Sequence, residues 1–264
     1  MALAVAALAA YVAAAWPTRS PARWAPWALV AGWLLHFVLL VLDIGGFGQT
    51  APGARLGFAP VLSITVWLVI AVHEVESRLF PQASVRLALA PVGAGAVLMM
   101  LLFPGEPRVF GSALAPLHFA LGVGSYGLFG AAVLHALMLD GAERRLRPRP
   151  PGTPAPRGLF SSAMGLPLLQ LERLTFRFVQ AGFVVLTATL LLGALTAPVW
   201  RWDHKTVFSL LGWLVFAGLL AGRHWRGWRG RRATRWLYAG AVLLLLAYVG
   251  SRFVVEVLLA RPAG

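Results

Sequence analysis

The chain has 264 residues, of which 59% are hydrophobic and only 12% charged, with a net charge of +14 and no cysteine. A soluble domain has about a quarter charged residues, so this chain lacks the polar side chains to cover a water-exposed surface, and lipid is its expected solvent. The absence of cysteine excludes disulfides, thiol redox chemistry, iron–sulfur clusters and cysteine-ligated zinc. The basic residues lie between apolar runs, so membrane topology explains them better than a nucleic-acid partner does.

A helix that spans a bilayer needs about 20 mostly apolar residues. Eight segments meet or approach that length: Met1–Trp16, Trp27–Asp43, Phe58–Val75, Ser84–Phe103, Ser112–Leu139, Leu171–Ala197, Thr206–Gly222 and Trp236–Ala260. The expected fold class is all-α, a polytopic transmembrane helical bundle. The first segment is short, and Ala13-Ala14-Ala15 looks like a signal cleavage site. No basic residue precedes its apolar run, as one would in a secretory signal, so it reads as a helix that is kept.

Basic residues orient the bundle. The first, third, fifth and seventh loops hold 17 of the 23 lysines and arginines, and the other loops with the C-terminal tail hold 5. Positive charge collects on the cytoplasmic side of short loops, which predicts that both termini are non-cytoplasmic. The longest connection, Asp140 to Gln170, is rich in proline and arginine around Arg147-Pro148-Arg149-Pro150-Pro151-Gly152. Proline there forbids a continued helix. It reads as a cytoplasmic linker between helices five and six, so residues 1–264 form a single transmembrane domain.

An ionisable side chain inside a membrane is costly unless it is paired or faces a cavity, which makes each one a candidate site. His36 and Asp43 lie seven positions apart in the second segment, close to two turns, and so share a face. A packing hydrogen bond to a neighbouring helix is the plainer role for His36. His73, Glu74 and His135 fall near the cytoplasmic boundary, where water can reach them. His224 belongs to a basic loop expected to meet anionic lipid headgroups. His118 lies near the outer end of the fifth segment, with Gly122, Gly124, Gly127 and Gly130 after it. Glycines let helices approach closely or leave room for a flat ligand, and the sequence leaves both readings open. Arg252 and Glu256, four apart, can pair on one helix face; alternatively Arg252 stands free to meet an anionic group.

The segment Pro198-Val199-Trp200-Arg201-Trp202-Asp203-His204-Lys205 gathers two indoles, a carboxylate, an imidazole and two cations into eight residues. Interfacial tryptophans often serve only as anchors. Indole faces beside cations also suit a planar, acidic, amphipathic ligand such as a porphyrin with propionates.

Trp200-Arg201-Trp202-Asp203-His204-Lys205-Thr206, followed by Gly227-Trp228-Arg229-Gly230-Arg231-Arg232-Ala233, resembles the haem-handling membrane proteins of cytochrome c assembly, the CcsA and CcmC proteins with their tryptophan-rich external loop. The stretch from Leu117-His118 to Ser125-Tyr126 resembles the segment carrying their first external haem-ligand histidine. The length, the eight helices and the ending Ala247-Tyr248-Val249-Gly250-Ser251-Arg252 are similar to the short branch called YpjD or HemX-like. The likeness covers roughly Leu114 to the end, with a weaker match around His36.

This resemblance implies haem as cofactor, His118 as the iron ligand, and Trp200, Trp202 and Asp203 as a haem cradle. It implies that Arg201, Lys205 or Arg252 meets the propionates. It also implies a bacterial inner (plasma) membrane protein in lipid, with no bond-making chemistry of its own and a protein partner in the cytochrome c or tetrapyrrole pathway. The sequence departs from the family pattern at His204, where a proline is usual, and at Ala221 and Leu259, near which longer members carry histidines. His204 or water would then complete the ligand set. Two alternatives stand beside this reading. One is a regulatory or scaffold protein of tetrapyrrole metabolism that no longer binds haem. The other is a small-molecule transporter with a polar path through His36, Asp43, Arg252 and Glu256, although no inverted repeat supports it. The chain has no nucleophile elbow, P-loop or His-Glu-x-x-His motif that would suggest a hydrolase.

Overall fold

The computed structural model describes residues 1–16, 24–47, 53–78, 83–146, 168–196 and 202–259. The apolar runs fold as helices α1 (Ala2–Ala15), α2 (Ala25–Ile44), α3 (Phe58–Ser77), α4 (Ala83–Leu102), α5 (Ala115–Leu146), α6 (Leu168–Thr196), α7 (His204–Arg226) and α8 (Gly230–Leu245). Beyond Leu245 the last helix continues to Leu258 through two π-helical turns, Leu246–Gly250 and Val254–Leu258. Among the described residues seven helices are long and apolar enough to cross a membrane. At 14 residues, α1 reaches only about 21 Å at 1.5 Å per residue, and it packs against α2 and α4. Helices α5, α7 and α8 extend well beyond their apolar runs. Helix α5 passes Asp140 to end at Leu146, and α8 starts at Gly230, ahead of Trp236. The added turns carry arginines, which are good helix formers that hydropathy alone leaves in a loop.

Helix α5 is central and touches α3, α6 and α8. On one side Tyr11, Leu29, Ile70, Val97, Leu134 and Leu171 form a buried cluster. On the other, Phe129, Phe176, Phe216, Leu219, Leu237 and Leu244 form a second, with the Phe129 and Phe216 rings stacked at 3.9 Å. Helices α2 and α3 are clasped by a reciprocal pair: Trp33 Nε1 donates to the Trp67 carbonyl at 3.3 Å, and Trp67 Nε1 donates to the Trp33 carbonyl at 3.1 Å. The outward faces are apolar. Val184, Leu191 and Leu195 are 66%, 60% and 83% exposed, a surface suited to lipid rather than water. Two short strands, β1 (Ala54–Leu56) and β2 (Glu106–Arg108), pair antiparallel at the end of the bundle where α3 and α5 begin, with Ala54 opposite Arg108.

Candidate functional site

At the strand-capped end, α5, α6, α7 and the extension of α8 enclose a cavity of about 570 Å³. That volume lies in the range of small-molecule sites, roughly 300–1,000 Å³. From α5 it takes His118, Gly122 and Tyr126, spaced by four so that they share one face. Helix α6 contributes Thr189 and Gly193, and α7 contributes Lys205, Thr206, Ser209 and Trp213. The α8 extension adds Tyr248. Tyr126 donates its hydroxyl to the Leu244 carbonyl. Trp213 Nε1 donates to Thr187 Oγ1 at 2.9 Å, which ties α7 to α6. Leu191 and Ala194 line the cavity and are also exposed, so it opens on the outer surface of the bundle.

The His118 ring stands in the wall. Its Nδ1 is buried with no hydrogen-bond partner among the described residues, and the Thr189 backbone is the polar group beside the ring. Gly193 is what makes room for it: a Cβ at that position would lie 2.8 Å from His118 Cε1. The α5 glycines divide by role. A Cβ at Gly127 or Gly130 would strike Leu68 or Val69 of α3 at 2.7 or 2.6 Å, whereas Gly122 meets only Thr189 Cγ2 at 3.7 Å and borders the cavity. Both meanings of glycine are therefore present on one helix.

Cations gather around Lys205, which lines the cavity. Lys205 Nζ lies 5.8 Å from the centre of the Tyr248 ring, and Arg108 on β2 and Arg252 are its charged neighbours. Arg252 also sits as a donor beside the Tyr248 hydroxyl. Arg252 Nε lies 3.0 Å from Glu256 Oε1, so the pairing expected from the spacing is present. Glu256 Oε2 in turn accepts from the Phe58 backbone N–H at 3.3 Å. Asp203 caps α7, accepting from the Thr206 backbone N–H at 2.8 Å. Burial pushes its carboxyl up, but the hydrogen bonds from Thr206 and the nearby Lys205 and His204 outweigh this and hold it below its ordinary value.

The remaining candidates fall elsewhere. Trp200 and Arg201 lie outside the described residues. Trp202 is 72% exposed, and neither it nor His204 lines the cavity. His36 is fully buried in another part of the bundle. Its Nδ1 is 3.1 Å from the Tyr11 hydroxyl and its Nε2 is 2.7 Å from Ser63 Oγ. Asp43 pairs with Arg55 at 3.3 Å. The polar residues of the supposed transport path are thus engaged separately: His36 with Tyr11 and Ser63, Asp43 with Arg55, and Arg252 with Glu256. His135 also lies away from the cavity, its Nδ1 2.8 Å from the Ala131 carbonyl and its Nε2 3.0 Å from Glu76 Oε2. Among the described residues no cluster of three or more histidine, aspartate or glutamate side chains suits a bare metal ion. Sequence reasoning missed Gly193, Trp213, Tyr126 and Tyr248 as cavity residues. Hydroxyl and indole groups inside apolar spans were the available signal.

The model of the cytochrome c assembly protein family matches residues 33–259. The chain belongs to this family. Among relatives of this family member is the inner membrane protein YpjD of Escherichia coli (strain K12), 35% identical over 144 residues, which are 53% of this chain and 52% of the relative. Another is the cytochrome c biogenesis protein CcsA of Prochlorococcus marinus (strain MIT 9303), 38% identical over 86 residues, 31% of this chain and 27% of the relative. The matched region therefore spans about half the length of YpjD and about a quarter of CcsA. No solved structure matches the chain.

Proposed function

We propose that this protein is a multi-pass inner-membrane protein that binds haem in the cavity at the non-cytoplasmic end and presents it for cytochrome c assembly. One observation carries the reading: the His118 ring, its Nδ1 without a partner among the described residues, stands in the wall of a roomy, mostly apolar cavity that Lys205 also lines, with Arg252 near Lys205. The residues fit the group. His118 supplies a neutral imidazole nitrogen to iron. Gly193 and Gly122 leave the wall open beside it. Lys205 and Arg252 supply charge-assisted hydrogen bonds to propionates, and Asp203 lines the cavity beside Lys205. Bound haem supplies the iron and the vinyl groups; the protein holds, orients and shields it, and breaks no bond. Family membership and the names of YpjD and CcsA support the location and the process. A protein partner then performs the attachment.

A second reading is favoured by the ligand count. Among the described residues His118 is the one histidine lining the cavity, which suits a regulatory or scaffold protein of tetrapyrrole metabolism. Optical spectra of the detergent-purified protein, titrated with haem, separate the two. A saturable Soret band that shifts or vanishes in His118→Ala is expected. No saturable uptake by the wild type would overturn haem binding and leave the scaffold reading.

A further inference from the structure

The opposite end of the bundle carries a second arrangement that haem binding does not use. Gly227 ends α7 in the left-handed conformation at φ +62°. Its N–H bonds the Arg223 carbonyl, the αL type of helix closure that favours glycine, and the Trp228 N–H bonds the Gly222 carbonyl. Trp228 then folds under the turn against Gly222, where a Cβ would be 2.4 Å from the indole. Arg232 stacks on the Trp228 ring at 4.2 Å. The Gly-Trp-Arg-Gly-Arg-Arg motif is therefore a rigid α7–α8 hairpin, and it fixes where the following arginines stand.

Those arginines are presented outward. Arg226, Arg231, Arg232 and Arg235 are exposed, and no salt bridge among the described residues engages them. Of the nearby carboxylates, Glu143 lies beside Gly230, and two others are committed elsewhere. Glu172 holds Arg223 and Arg229, both at 3.0 Å, and Asp140 accepts from Thr234 and Tyr238. Trp225 beside them is 80% exposed, as an interfacial indole would be. The start of α8 has no side-chain cap and no acidic residue in its first turn, so its positive end adds to the same field.

We propose that this hairpin is a binding site for the headgroups of acidic phospholipids, with Arg231 and Arg232 meeting the phosphate and Trp225 seated at the headgroup level. The occupant follows from charge complementarity and from position: the patch sits at the end of membrane-spanning helices, where an anionic leaflet is the abundant partner. The hairpin sets where the backbone presents these arginines, and Trp228 holds the Arg232 guanidinium, which distinguishes the site from diffuse charge.

The test is native mass spectrometry of the full chain released from mixed phosphatidylcholine and phosphatidylglycerol nanodiscs. The wild type is expected to retain phosphatidylglycerol preferentially. Arg231→Gln with Arg232→Gln should weaken that retention roughly thirtyfold. Arg173→Gln with Arg177→Gln, which removes equal charge from α6, should leave it intact. If the first pair fails to fold, Arg226→Gln with Arg235→Gln gives the same reading while sparing the α8 start. Absence of a preference in the wild type would overturn the proposal. So would equal losses in the two pairs, meaning diffuse charge, or full displacement by inorganic phosphate, meaning a small-anion site.

Discussion

At the scale of single residues, two buried histidines that look alike in sequence separate by what their nitrogens meet. His36 has a hydroxyl at each ring nitrogen, and burial of satisfied polar groups is a packing device. His36→Ala removes both contacts and strands the Tyr11 hydroxyl, while Ser63 keeps the Ala96 carbonyl, an expected loss of roughly 2–3 kcal/mol. That loss should appear as a lower melting midpoint in detergent, with the haem titration unchanged. His118 lines the cavity and its Nδ1 is buried without a partner among the described residues, which is the arrangement the proposed haem ligation draws on. Gly193 tests it without touching the ring. Gly193→Val should push the imidazole aside and weaken haem uptake tenfold or more by titration, with helical content retained. Uptake equal to wild type would mean that the ring can shift and still ligate. The candidacy of His118 was legible in the sequence because a histidine followed by spaced glycines is unusual in a span. The satisfaction of His36 was not, because its partners come from 25 and 27 residues away in sequence.

At the scale of elements, helix ends carry the local chemistry. Asp203 bonds the N–H of Thr206 and starts α7, so the residue matched to the tryptophan-rich motif has a structural task as well as a place in the cavity lining. Asp203→Ala should cost about 1 kcal/mol of stability, visible as faster amide exchange in the first turn of α7. Its depressed carboxyl gives the pH sign: the stabilisation is present above the ordinary aspartate value and fades as pH falls through the lower folded value. The eight helices were readable from apolar length alone, whereas their ends were not. Arg144, Arg145, Arg231 and Arg232 lie in helix, because backbone hydrogen bonding tolerates charge on an exposed face where hydropathy does not count it. The π-helical turns after Leu245 were also invisible. They arise where Tyr248 and Arg252 are carried toward the cavity and Glu256 toward α3, a distribution common at functional sites.

At the scale of the whole molecule, orientation is the property most open to a direct check. The cysteine-free sequence makes single-cysteine labelling clean. His204→Cys should react with an impermeant maleimide added outside intact cells, and Trp225→Cys should react only after permeabilisation. The reverse pattern would invert the topology and place the cavity on the cytoplasmic side. By itself the sequence determined the membrane, the helix number, the charge asymmetry and the family likeness. These follow from composition and local pattern, since each helix satisfies its own backbone and answers to the lipid around it. Only the tertiary structure decided which polar residues meet. It set His118 beside Gly193, brought Arg108, Lys205 and Arg252 together from three elements, and engaged His36, Asp43 and His135 elsewhere. Such meetings depend on how helices pack against one another, and side-chain contacts between distant segments leave no periodic trace along the chain.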